Sequence, residues 1–115
     1  MSKRDDRLRL VHMLEAAEKA AFHARGRSRE VFEHDEILQL ALTRLLEIVG
    51  EAAAHVSSDL QDRVPGIPWP DVVNMRHRLI HGYDRVDLEV VWQTLQNDIP
   101  TLIDALKRAL EEAAL

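Results

Sequence analysis

The sequence predicts an all-α fold, an up-and-down four-helix bundle with one short extra helical turn, and three observations carry that expectation. Apolar residues recur at helical spacing through most of the 115 residues. No stretch shows the strict alternation of a half-buried strand. The breaks between periodic segments are short and rich in Gly, Pro and Ser, so successive helices return alongside one another. The length points to a single domain over residues 1–115. With 46% hydrophobic and 30% charged residues the composition is that of a globular chain. The core it can build is small, and dimerisation would hide more apolar surface.

Each element has a local reason. Leu10, Val11, Leu14, Ala17 and Ala21 define the first helix, with Gly26 as its stop and Ser28 as a cap for the next. Ile37, Leu38, Ala41, Leu45, Ile48, Val49, Ala52 and Val56 form a wide stripe on the second. Gly50 lies inside that stripe and marks a close helix–helix approach, since glycine otherwise weakens a helix. The segment "SSDLQDRV" reads as a short helical turn capped by Ser57 or Ser58. Pro65, Pro68 and Pro70 then forbid a continuous helix. Pro70 suits the first position of a third helix, which Asp71 favours, Val72, Met75 and Leu79 bury, and Gly82 ends. The last helix starts near Val86–Asp87 and carries Leu88, Val91, Leu95, Ile99, Leu102, Leu106 and Leu110. Pro100 interrupts its stripe and should kink it or loosen the preceding turn. Trp69 and Trp92 are expected in or beside the core.

Several function classes fall away. There is no Cys, hence no disulfide, thiolate metal site or Cys nucleophile. The start, MSKRDDRLRL, lacks the apolar core of a signal peptide, and no run of 18 apolar residues occurs. A cytoplasmic protein without a membrane role is the expectation. The net charge of −5 argues against a general nucleic-acid coat. Residues 1–29 nevertheless hold 8 Lys/Arg against 4 Asp/Glu, a net of +4, and residues 30–115 hold 7 against 16, a net of −9. Contact with RNA would therefore be local, at the first helix or at Arg76–Arg85, although a solvated helix face accounts for the basic N-terminal cluster equally well.

The stretch "NMRHRLIHGYDRVD", residues 74–87, concentrates Arg76, His77, His81 and Tyr83. On an ideal helix Arg76 and His81 diverge by about 140°, so they would flank a cleft rather than touch. His exchanges protons near neutral pH and could serve a ribose 2′-hydroxyl or a leaving 5′-oxygen. Arg presents a planar fork of donors to phosphate and could stabilise transition-state charge. A two-fold dimer would supply two of each residue to one cleft. A plain helix end accounts for the same residues, with His favoured at the C-terminus and Arg paired with Asp71, Asp84 or Asp87. Zinc chelation by His77 and His81 at i,i+4 is a weaker reading, because the third ligand would have to come from His12, His23, His34, His55 or a carboxylate. Glu51, amid small residues, is a candidate supporting acid, though a solvent-facing helix Glu is the plainer role. The residues alone favour the helix-end reading.

A family resemblance shifts that balance. The run "RHRLIHGYDRVD" resembles the signature of HEPN domains, specifically the HepT-like toxins of prokaryotic toxin–antitoxin pairs, with Arg76, His77, His81 and Tyr83 at its motif positions. The second position is usually Asn in that group, so His77 is a departure. "LEIVGEAA", "PGIPWPDVVNMRHRLIHGYDRVD" and "VVWQTLQNDIPTLIDAL" extend the likeness over residues 8–110. The resemblance implies a metal-independent endoribonuclease without a cofactor, dimeric, with Arg76 on the scissile phosphate, His81 in proton transfer, and His77 supporting the site. It implies as partner a minimal nucleotidyltransferase antitoxin of a type VII-like system, which attaches AMP to Tyr83. The alternative it leaves is a non-catalytic module that partners a nucleotidyltransferase or presents a nucleotide to it.

Overall fold

Helix α1 spans Lys3–Ala24 and packs along both α3 (Glu36–Ala54) and α8 (Ile99–Glu112). The computed structural model describes residues 3–83 and 85–112. Small side chains at Ala16, Ala17 and Ala20 are buried on α1 and let its neighbours approach, while Leu10 and Met13 on the same stripe are fully covered. From α3 come Leu42, Leu46 and Val49, from α8 Ile99 and Leu106, all fully buried. Each such side chain contributes about 1.5–3 kcal/mol of burial, an upper figure because the unfolded chain is itself partly compact.

The all-α fold predicted from the sequence is the one observed. Its four packed units are α1, α3, the pair α5 (Trp69–Val73) and α6 (Met75–Leu79), and the long C-terminal rod. Short helices α2 (Arg29–Glu33) and α4 (Ser58–Arg63) fill the connections. Ser28 caps α2 through the Val31 N–H at 3.1 Å, and Ser57 caps α4 through the Leu60 N–H at 3.2 Å. The chain breaks between α2 and α3 because the Asp35 carboxylate accepts from the Leu38 N–H at 3.0 Å and starts a new helix there. Gln39 then donates to the last carbonyls of α2, Phe32 at 2.9 Å and Glu33 at 3.1 Å. At the other end of the bundle the buried Asp6 carboxylate accepts from the Ser57 N–H at 2.9 Å and the Ser57 hydroxyl at 2.6 Å, tying α1 to the α3–α4 corner.

Both tryptophans occupy their expected places. Trp69 is buried and its Nε1–H donates to the Val64 carbonyl at 2.9 Å across the Pro-rich link. Trp92 is half-buried against Phe32, ring centroids 5.3 Å apart. Gly50 lies at a tight crossing: a Cβ there would stand 2.8 Å from the Met75 Cβ and 2.9 Å from the Val72 carbonyl oxygen. In the C-terminal rod, α7 (Leu88–Gln93) passes into α8 through a π-helical turn, Thr94–Asp98, directly before Pro100. Pro100 has no N–H to return to the preceding turn, and the backbone loosens so that the Ile99 N–H bonds Thr94 instead.

One boundary differs from the expectation in a way that matters. The third helix does not run to Gly82. It bends at Asn74, stops at Leu79, and Ile80 is extended at φ −120°, ψ 122°. Ile80 forms an isolated antiparallel bridge with Val86, closed by the bonds His81 N–H to Arg85 carbonyl (2.8 Å) and Asp87 N–H to Leu79 carbonyl (2.7 Å). A pairing across the loop therefore supersedes the last helical turn, and Gly82, at φ +96°, serves the turn of this narrow loop.

Candidate active site

The loop between α6 and α7 determines where the motif residues stand. His81 follows the bridge residue Ile80 and lies beyond the end of α6, so its side chain does not stand on a helix face. The ring is about half exposed, at 53%, and its Nε2 lies 3.3 Å from the Asp87 Oδ2. Asp87 is the N-cap of α7: its Oδ1 accepts from the Val90 N–H at 3.1 Å. One carboxylate thus holds a helix start and a histidine ring together.

Beside this pair is an open cleft of ≈ 390 Å³ whose walls include His81, Asp87, Arg78, Gln93, Thr94 and Asn97. The π-helical turn forms its far wall. Arg78, half-buried, crosses to Asp98 with a 3.3 Å ion pair. Arg78, Asn97 and Thr94 are not among the site residues expected from the sequence, and Asp87 is expected there as a helix start and a partner for Arg. Asp87 carries the first signal as an acidic residue directly before an apolar helical run.

The other predicted residues are more dispersed. Arg76 and His77 are exposed on α6, and no hydrogen bond or ion pair joins either side chain to another described residue. Arg78, not Arg76, is the α6 arginine that lines the cleft beside His81. The pairing of Arg76 with Asp71 or Asp87 considered from the sequence is not formed, and Asp84 lies outside the described residues. Tyr83 is fully exposed at the loop tip. Glu51 is exposed on α3 and pairs with Arg44 at 3.0 Å, the solvent-facing role that its position suggested. It follows Gly50 directly in sequence, as Arg76 follows Met75, and no bond joins the two side chains.

The zinc alternative loses its geometric basis. His77 and His81 would share a face only on a continuous helix, and the helix ends between them. Among the described residues no group of three or more His, Asp or Glu side chains is arranged to hold a metal ion. Among those residues, too, no helix is long and apolar enough to cross a membrane.

Chemically, the arrangement offers an oriented, solvent-accessible imidazole at the rim of a cleft, with guanidinium groups on the adjoining helix. That set can move a proton and hold an anion.

Comparison with known proteins supplies the context. A family model described as "Ribonuclease HepT-like" matches residues 13–109. The chain is 39% identical over 100 residues to a Thermococcus cleftensis protein named "Probable ribonuclease HepT", covering 87% of this chain and 91% of that one. It is 33% identical over 103 residues to a protein of Caldanaerobacter subterraneus subsp. tengcongensis named as a putative RNase, covering 90% and 92%. A Methanocaldococcus jannaschii protein of the same description is 31% identical over 102 residues, covering 89% and 94%. No solved structure matches the chain.

Proposed function

Because the chain belongs to the HepT-like ribonuclease family, we propose that it is a metal-independent endoribonuclease and the toxin of a type VII-like toxin–antitoxin pair, a single HEPN domain over residues 1–115 that acts as a homodimer in the cytoplasm. The observation that carries this reading is the placement of His81. It stands exposed at a cleft rim, with one ring nitrogen against Asp87, inside a chain that matches ribonucleases along nearly its whole length.

The reaction follows from the groups present. His81 accepts the proton of a ribose 2′-hydroxyl as that oxygen attacks the neighbouring phosphorus. The P–O5′ bond breaks and the leaving oxygen takes up a proton. Arg76 binds the non-bridging phosphate oxygens, whose charge rises in the transition state. His77 and Glu51 are the proposed supporting residues. Within one chain Arg76 and His81 make no contact, which suits a cleft completed by the same segment of a second copy. Ile37 and Leu40, large apolar side chains exposed near the start of α3, are surface that a second copy would have reason to cover.

The test is direct. Purified, unmodified protein is expected to cut RNA in excess EDTA, at a rate unchanged by added magnesium. Absence of cleavage, or cleavage that returns only with a divalent ion, would overturn the reading.

The proposed partner is a minimal nucleotidyltransferase that inactivates the toxin by attaching AMP to Tyr83. Full exposure of Tyr83 leaves its hydroxyl open to such an enzyme. A phosphate added two residues from His81 would repel RNA and obstruct the cleft. Incubation with the partner and ATP should raise the intact mass by whole multiples of AMP and abolish cleavage. In Tyr83→Phe the mass should stay constant and cleavage persist. A mass gain that survives the substitution would place the modification elsewhere.

A further inference from the structure

We infer that Asp87 is a positioning residue for His81: it holds Nε2 as the protonated ring nitrogen and leaves Nδ1 as the nitrogen that takes the substrate proton. The inference rests on the proposed role of His81 and adds a residue and a tautomer to it.

Geometry fixes the direction of the contact. Asp87 is locked from three sides. Its N–H donates to Leu79 at 2.7 Å, its Oδ1 accepts from the Val90 N–H at 3.1 Å, and its Oδ2 is thereby directed at His81 Nε2, 3.3 Å away. The bridge between Ile80 and Val86 places His81 and Asp87 on opposite strands of one narrow loop, so the pairing is set by backbone bonds. An ionised carboxylate can only accept hydrogen bonds. A neutral imidazole has one N–H and one lone pair, so the contact requires the proton on Nε2 and leaves the lone pair on Nδ1. Arg78, the nearby cation in the cleft, is taken up by Asp98, which leaves the Asp87 carboxylate to the histidine.

In the cleavage step the 2′-O–H bond breaks, an Nδ1–H bond forms, the 2′-oxygen bonds to phosphorus and the P–O5′ bond breaks. The leaving oxygen takes its proton from solvent or from a second imidazolium. The charge that develops on the ring lies against the Asp87 carboxylate.

Asp87→Asn separates positioning from capping. Asn caps a helix about as well as Asp. With its oxygen held by the Val90 N–H, its amide nitrogen faces His81 and can only donate. That forces the ring to the opposite tautomer, protonated on Nδ1 and without a base toward substrate. The expected result is an unchanged unfolding transition with cleavage lowered by at least about 10²-fold. The same exchange beside the catalytic histidine of serine proteases costs about 10⁴-fold. Ring ¹⁵N shifts, assigned by their absence in His81→Gln, should show Nε2–H in the parent protein and Nδ1–H in Asp87→Asn. Asp87→Ser, which keeps a capping oxygen but cannot reach the ring, should give a mixture of tautomers and an intermediate rate. Full cleavage by Asp87→Asn, or a ring still protonated on Nε2 in that variant, overturns the proposal. The tautomer is read without RNA, so a parent protein that cuts no RNA would refute the ribonuclease reading while the spectra still decide the Asp87 contact.

Discussion

Replacing His81 with Ala is expected to lower RNA cleavage by about 10²–10⁴-fold, the range over which a positioned acid–base group acts. Arg76→Ala should lose about 10²–10³-fold, as when one donor to transition-state charge is removed. Both variants should unfold like the parent. Each side chain is exposed, and among the described residues the only bond at stake is the 3.3 Å contact of His81 with Asp87, half open to water. Exposed pairs of this kind contribute about 0–1 kcal/mol. A selective loss of rate therefore reports chemistry rather than folding. Expression in cells gives the same comparison, with growth inhibition lost in both variants.

The separation of Arg76 from His81 adds a sharper outcome. If one cleft draws on both copies of a dimer, neither single variant is active alone, but mixing the two after subunit exchange yields mixed dimers with one intact Arg76 and one intact His81. Cleavage should then recover to a measurable fraction of the parent rate. No recovery, in a sample shown to exchange subunits, would mean that each chain builds its own site. Cleavage at parent rates by either single variant would remove that residue from the chemistry altogether.

The legibility of this fold in its sequence depended on how local each cause was. Pro100 predicts a kink or a loosened preceding turn, and a π-helical turn stands there, because a missing N–H acts within its own helix. Ser57 and Ser28 cap the helices that follow them for an equally local reason. The end of the third helix was not local. Gly82 looked like its stop, yet Ile80 leaves the helix earlier to pair with Val86, a partner that appears only when the chain returns. That pairing also hid the site. Asp87 was readable as an acid before a helix, but its second oxygen meets His81 only across the closed loop. The i,i+4 relation of His77 and His81, which suggested zinc, was likewise a property of a helix that does not reach His81.

Gly50→Ala is expected to destabilise the protein, against the ordinary preference of a helix interior. Ala in place of Gly favours a helix by about 0.5–1 kcal/mol. Here the new methyl would stand 2.8 Å from the Met75 Cβ and 2.9 Å from the Val72 carbonyl oxygen. Neither atom can swing away, because one is fixed to the α6 backbone and the other belongs to the α5 backbone. Overpacking of a close contact costs about 1–3 kcal/mol, and two backbone-anchored contacts place this one near the upper end. The net loss should be about 2 kcal/mol, read as a lower urea midpoint at constant slope. Gly66→Ala is the control, since a Cβ there meets nothing within 4 Å, and it should leave stability the same or slightly higher. Met75→Ala should not rescue Gly50→Ala, because alanine keeps the offending Cβ. The effect also reaches the site. Arg76 follows Met75, so α6 can relieve the clash only by moving the arginine that is to bind phosphate. Cleavage by the folded fraction of Gly50→Ala should therefore fall as well, while His81, held by its loop bonds to Arg85 and Asp87, keeps its tautomer. A Gly50→Ala protein as stable as the parent would show that the crossing has room, and that glycine is there for a reason other than close approach.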